Sequence, residues 1–132
     1  MATWSDVRRI ALALPGVTEE PSYGGTRSWK VNNKGVVWER PLRKADLDWL
    51  GERAPKGDVL GVRVPELEMK DVLIKADPRV FFTTPHFDGY PAVLIRLDKI
   101  SLKQLKDVIL EAWLSRAPKR AVQAFMKERT HR

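Results

Sequence analysis

Apolar positions along the chain switch between helical spacing and strict alternation, and each switch marks a boundary between elements. Val7, Ile10, Ala11 and Leu14 recur three and four apart behind Thr3 and Asp6, a pairing that caps a helix start. Pro15-Gly16 ends that helix, and Trp4 is expected to cover its first turn. Arg27 to Arg40 alternates instead, with Asn32, Asn33, Lys34 and Gly35 at its centre. Asn and Gly tolerate the positive φ of a tight turn, so this stretch predicts a hairpin. Pairing Val31 with Val36 sets Trp29 opposite Trp38 and gathers the large apolar groups on one face. A one-residue slip would set Trp29 against Val37 and send Trp38 to the polar side. The preferred register also places Arg27 opposite Arg40, two like charges that need an anion between or beside them.

Beyond the hairpin, Arg43 to Arg53 predicts a short helix carrying Leu47, Trp49 and Leu50 and ending near Gly51. A turn at Pro55 to Asp58 leads into a strand over Val59 to Val64. Pro65 suits the first position of a helix, and Glu66 and Glu68 suit its positive end. Leu67, Val72, Leu73 and Ala76 are expected to face inward there, and Asp77-Pro78 terminates the run. Val80 to Thr84 and Ala92 to Leu97 predict strands around the loop Pro85 to Pro91. Ser101 and Gln104 form a second capping box. The helix they start carries Leu102, Leu105, Val108, Ile109, Ala112 and Trp113 on one face, with Leu110 and Leu114 extending it or forming a secondary contact. Ala117-Pro118 breaks it, and a further helix over about 118–129 carries Val122, Phe125 and Met126. No repeat or long linker divides the chain, so residues 1–132 are expected to form one domain. The fold class is α+β, an antiparallel sheet with helices packed mainly on one face.

Three segments, ALALPG, RSWKV…VVWERP and the run PHFDGYPAVLIRLDKISLKQLKDVILEAWLSRAPKR over Pro85 to Arg120, resemble the MmcQ/YjbR-like family of small bacterial proteins. The likeness spans residues 3 to 120. It implies a frataxin-like "double wing" arrangement and a DNA-binding role, with no reaction attached. The helix after Pro118 departs from the shorter members of the family.

Composition narrows the function classes. The 132 residues are 43% hydrophobic and 31% charged, and no apolar run approaches the ~20 residues that span a bilayer. Asp6, Arg8 and Arg9 interrupt what would be the apolar part of a signal peptide. Cysteine is absent, which excludes disulfides, thiolate catalysis and cysteine-held zinc, and fits a cytoplasmic location. The formal charge is +7, and its distribution is uneven. Residues 99–132 hold 9 basic against 3 acidic residues, while residues 1–98 are nearly balanced at 15 against 14. Such a field attracts polyanions, although basic tails also serve solubility alone.

The candidate chemistry is correspondingly thin. Of two histidines, His131 is beside the C-terminus, and His86 shares a loop with Thr83, Thr84, Asp88 and Tyr90. That loop reads more simply as a turn stiffened by Pro85 and Pro91 than as a general-base site, so no enzyme activity is expected. The frataxin likeness raises iron, but the first helix carries one acid, Asp6, beside Arg8 and Arg9, and hard cations need several converging carboxylates. No metal or other cofactor is expected. Two basic patches suit phosphate contacts. One is the hairpin, with Lys34 at its tip, Lys30 on its polar face and Arg27 and Arg40 at its base. The other is the helix junction at Arg116, Lys119 and Arg120, where the backbone N–H groups after Pro118 also favour an anion; Lys127, Arg129 and Arg132 lie beyond. Lys30 and Lys34 are equally ordinary for a solvated strand, and Arg116 for the end of a helix. Trp29, Trp38 and Trp113 sit in phase with core positions rather than as base-stacking platforms. DNA is thus the leading partner. The alternatives are a protein-interaction module or homodimer through Leu110 and Leu114, and a small-molecule binder at His86, Asp88 and Tyr90 with Phe82 and Phe87.

Overall fold

The computed structural model describes residues 2–130. Its elements run α1 (Trp4–Leu12), β1 (Thr18–Pro21), β2 (Arg27–Val31), β3 (Lys34–Glu39), α2 (Lys44–Leu50), β4 (Val59–Arg63), α3 (Leu67–Ala76), β5 (Phe81–Phe82), β6 (Ala92–Arg96), α4 (Leu102–Arg116) and α5 (Lys119–Thr130). The strands form one antiparallel sheet in the order β1-β2-β3-β4-β6-β5. The α+β class is therefore as the sequence predicts.

Local chemistry fixes the helix starts. The Thr3 hydroxyl accepts the Asp6 N–H at 3.3 Å, while the Asp6 carboxylate accepts the Thr3 N–H at 2.9 Å. Ser101 and Gln104 repeat the exchange at the head of α4, both bonds at 3.1 Å. Each exchange satisfies donors that a helix start otherwise leaves unpaired. Val7, Ile10 and Ala11 of α1 and Leu105, Ile109, Ala112 and Trp113 of α4 then bury against Trp29, Val37, Leu60, Val62, Val93 and Ile95. The Trp113 indole N–H donates to the Pro15 carbonyl at 2.9 Å, tying α4 to the turn that ends α1. Phe125 of α5 meets Trp113 edge-on at 5.0 Å, and Leu73 and Ile74 of α3 join the same cluster. Helices therefore lie mainly on one face.

The other face is also buried, and this corrects the hairpin. Val31 pairs with Lys34 across a two-residue turn, with Asn32 and Asn33 at φ 51° and 61°. Both central residues at positive φ make the tight turn that suits the twist of a hairpin. Trp29 consequently faces Val37, the slipped register, and the expected pairs Val31–Val36, Trp29–Trp38 and Arg27–Arg40 do not form. The physical reason is a bulge: Lys30 pairs with Gly35 and Trp29 with Val37, so Val36 is left over. An extra residue in one strand turns two successive side chains toward the same side. Val36 and Val37 both enter the main core, and Trp38 emerges on the far face. That face is apolar. Trp38 packs there with Leu42, Leu50, Val59, Phe82, Phe87, Ala92 and Leu94.

Three smaller expectations also change. The strand β1, absent from the sequence-based expectations, forms the edge beside β2. In α3 the cap is Glu66 rather than a start at Pro65. Leu67, Val72 and Ala76 are exposed, Val72 at 56%, whereas Lys70 is the buried residue of that helix. In α2 only Leu50 of the three apolar residues is buried, and Leu47 and Trp49 are exposed.

A single glycine permits the second core. A Cβ at Gly61 would lie far inside contact distance of the Trp38 Nε1. Gly61 and Trp38 are paired across β3 and β4, so the indole lies over the bare backbone. Gly61→Ala is expected to destabilise the fold by about 1–3 kcal/mol, the range for overpacking. A urea unfolding curve checks this, and an unchanged midpoint would show that the indole can move aside freely.

Candidate functional site

The predicted cationic residues separate into two groups. At the base of the hairpin, Arg27 is paired with Glu39 at 3.0 Å, and Glu39 also accepts the Arg27 backbone N–H. Arg40 is 9% exposed and reaches Asp46 at 3.2 Å. The anions that two neighbouring arginines call for are therefore supplied from within the chain. Neither residue belongs to a free basic patch.

The other residues gather at the opposite end of the sheet. Lys34 stands beside the hairpin tip. Val37 pairs with Val62 and Arg63 with Ala92, so the tip, the end of β4 and the start of β6 share that end. The Arg63 guanidinium lies 5.4 Å over the Tyr90 ring and donates toward its hydroxyl at 3.5 Å. Arg116 arrives from the end of α4. Burial pushes its pKa down, the nearby Arg63 charge pushes the same way, and Tyr90 opposes them. Its Nε is buried with no hydrogen-bond partner. Lys119 and Arg120 follow at the exposed start of α5, while Lys30 is half-buried near the tip. Among the described residues none of Lys30, Lys34, Arg63, Arg116, Lys119 and Arg120 is in an ion pair. Arg63 escaped the sequence reading, although alternation after buried Val62 places it on the Tyr90 side. His131 and Arg132 lie outside the described residues.

The loop of His86, Asp88 and Tyr90 borders an open cleft of about 940 Å³ on the second face. Phe87 and Tyr90 line it, together with Trp38 and the segment Glu39 to Arg43. Phe82 does not, because it is buried in the core beneath. His86 is exposed and meets the edge of Phe87 at 4.9 Å, and Asp88 is exposed beside it. Lys70 holds this loop from below. Its ammonium donates to the Phe87 carbonyl at 2.6 Å and the Tyr90 carbonyl at 3.2 Å, with the residue only 6% exposed. Positions 70, 73 and 74 form the inward stripe of α3, a spacing that counting only apolar residues conceals.

Other candidate chemistry finds no support. Among the described residues no three His, Asp or Glu side chains are grouped to hold a metal ion. No described helix is long and apolar enough to cross a membrane. Leu110 and Leu114 are half-buried against the main core, so they do not form the exposed patch on which a partner would dock.

The arrangement is that of a small α+β protein with two buried sheet faces, a charged end and an open cleft beside the Pro85–Tyr90 loop. The sequence model of the YjbR family matches residues 12–115, and the chain belongs to that family. It is 50% identical over 129 residues to the uncharacterised proteins Rv2570 of Mycobacterium tuberculosis and Mb2600 of Mycobacterium bovis. The match covers 96% of this chain and 97% of each relative, so it extends into α5 beyond the family span. The crystal structure of Deinococcus radiodurans protein DR2400, a DUF419 domain, superposes with a TM-score of 0.66 at 21% identity. That likeness covers 97% of this chain and 88% of the Deinococcus chain, and it concerns the fold.

Lys70 gives a pH signature. Burial lowers its pKa from the ordinary 10.5, against weaker opposing effects of Asp88 and Asp71. Between the folded and unfolded pKa values the unfolded chain holds more protons, so stability rises with pH through that window. Lys70→Met removes the charged donor from the Phe87 and Tyr90 carbonyls, which keep the backbone N–H groups of Tyr90 and Ala92, and is expected to cost about 1–3 kcal/mol. The gap between wild type and variant should widen as pH rises toward the ordinary lysine value of 10.5 in urea titrations. A gap independent of pH would contradict the burial-driven shift.

Proposed function

We propose that this protein binds duplex DNA without catalysis, through phosphate contacts made by the end of the molecule that carries the hairpin tip and the α4–α5 junction. The observation behind this reading is the convergence of Arg63 and Arg116 around Tyr90, with Lys34, Lys119 and Arg120 at the same end and, among the described residues, no carboxylate paired to any of them. Cations gathered on one surface neutralise neighbouring phosphates and release counterions, which needs no particular motif. The hairpin tip supplies one point of contact and the junction a second. Arg27 and Arg40 take no part, because they are paired with Glu39 and Asp46 at the base of the hairpin, away from this end. Base-specific reading has no support, so affinity should depend weakly on sequence.

Titration of a labelled duplex at low and moderate salt tests the proposal. Affinity should fall steeply with salt, with a log–log slope close to the number of phosphates contacted. Lys34→Glu and the pair Lys119→Glu with Arg120→Glu should each weaken binding and reduce that slope by about one per lost contact. Arg79→Glu, at the far end and 89% exposed in its side chain, should leave both unchanged. Absence of binding at low salt, or equal loss in the Arg79 variant, would remove the assignment.

A further inference from the structure

We propose that the cleft between the Glu39–Arg43 segment and the Pro85–Tyr90 loop is a binding site for a small organic anion, a carboxylate or phosphate monoester on a flat apolar body. The site touches the charged end through Tyr90 but is centred on the second sheet face and uses different cations.

Arg40 carries the inference. It is more than nine-tenths buried and forms part of the cleft wall. A guanidinium has five N–H donors. Arg40 donates one from Nη1 to the Pro41 carbonyl and one from Nη2 to the Asp46 carboxylate. Its other three N–H groups have no acceptor among the described residues. Its counter-charge is also shared, because the same Asp46 oxygen accepts the Arg43 backbone N–H at 2.9 Å. Its guanidinium lies 5.3 Å over the Phe87 ring, and a cation in a cavity wall with donors left over and a divided partner can take a further acceptor.

The surroundings specify the rest of the ligand. Arg43 lines the same cleft, is exposed, and has no ion pair among the described residues. It places a second cation three residues along. Of the cleft acids, Glu39 is committed to Arg27, which leaves Asp88 on the opposite loop. Positive charge therefore concentrates on the Arg40–Arg43 side. Trp38, Phe87 and Tyr90 give the cleft its aromatic surface, against which a flat body would lie. The volume, about 940 Å³, suits a small ligand. Carboxylate and phosphate both match a guanidinium fork, so the anion's source is decided by experiment.

The test uses the full chain, isotopically labelled, titrated with indole-3-acetate, phenyl phosphate and neutral indole-3-acetamide. The anions should shift the Arg40 side-chain signal, the Trp38 indole and the Gly89 amide together, with the amide binding about tenfold more weakly. A tighter response to indole-3-acetate would indicate a carboxylate ligand, and a tighter response to phenyl phosphate a phosphate ester. Arg43→Gln, at an exposed position, should weaken the anions about threefold or more and leave the neutral amide unchanged. Arg40→Lys keeps the charge but loses the planar fork, and it should weaken them further. Equal affinity for acid and amide, no shifts at about 10 mM, or shifts confined to Lys119 and Arg120 would overturn the proposal.

Discussion

The far side of the sheet depends on one close approach, the Trp38 indole lying where a Cβ of Gly61 would stand. A sheet with helices on one face normally leaves its other face polar and wet. Here a missing side chain on β4 makes room for the largest side chain on β3, and the indole becomes part of the floor on which Phe82, Phe87 and Leu94 assemble. The Pro85–Phe87 turn can then pack inward through Phe87, and the cleft opens between that turn and the chain leaving β3. Without this fit the loop would have no apolar seat.

Much of the fold is legible in the sequence because the relevant signals are local. The caps at Thr3 and Ser101, the breaks at Pro15 and Pro118, and the stripe from Leu105 to Trp113 need only neighbouring residues to be understood. The errors arise where tertiary packing overrides local pattern. Trp38 looks misplaced on a polar face only if that face is assumed to be wet, and a bulge at Val36 cannot be seen from alternation alone. Lys70 is a lysine that occupies a core position because two backbone carbonyls receive its ammonium, a pairing between residues 17 and 20 positions apart.

The charge pattern follows the same division. The excess of basic residues near the C-terminus is plain in composition, and three of its members, Arg116, Lys119 and Arg120, prove to be at one end of the molecule. Pairing is not visible in composition. Arg27 and Arg40 look like members of the hairpin patch, yet each is paired with an acid twelve or six residues away. Arg63 makes the reverse case, an unremarked residue in a buried strand that joins Arg116 across two elements. Candidate sites of this kind are legible as residue types and become sites only once the fold decides which charges are already answered.

The two borders of the sheet are unequal in chemistry but alike in effect. On one side β1 is four residues long, carries Glu19 and Glu20, and closes with Pro21, which has no N–H to offer. On the other, β5 contributes only Phe81 and Phe82. A foreign strand seeking to extend the ladder would find either too few hydrogen-bonding groups or a repulsive, proline-capped rim. Growth of the sheet from chain to chain is thereby discouraged, and any assembly this protein enters must be built through side chains.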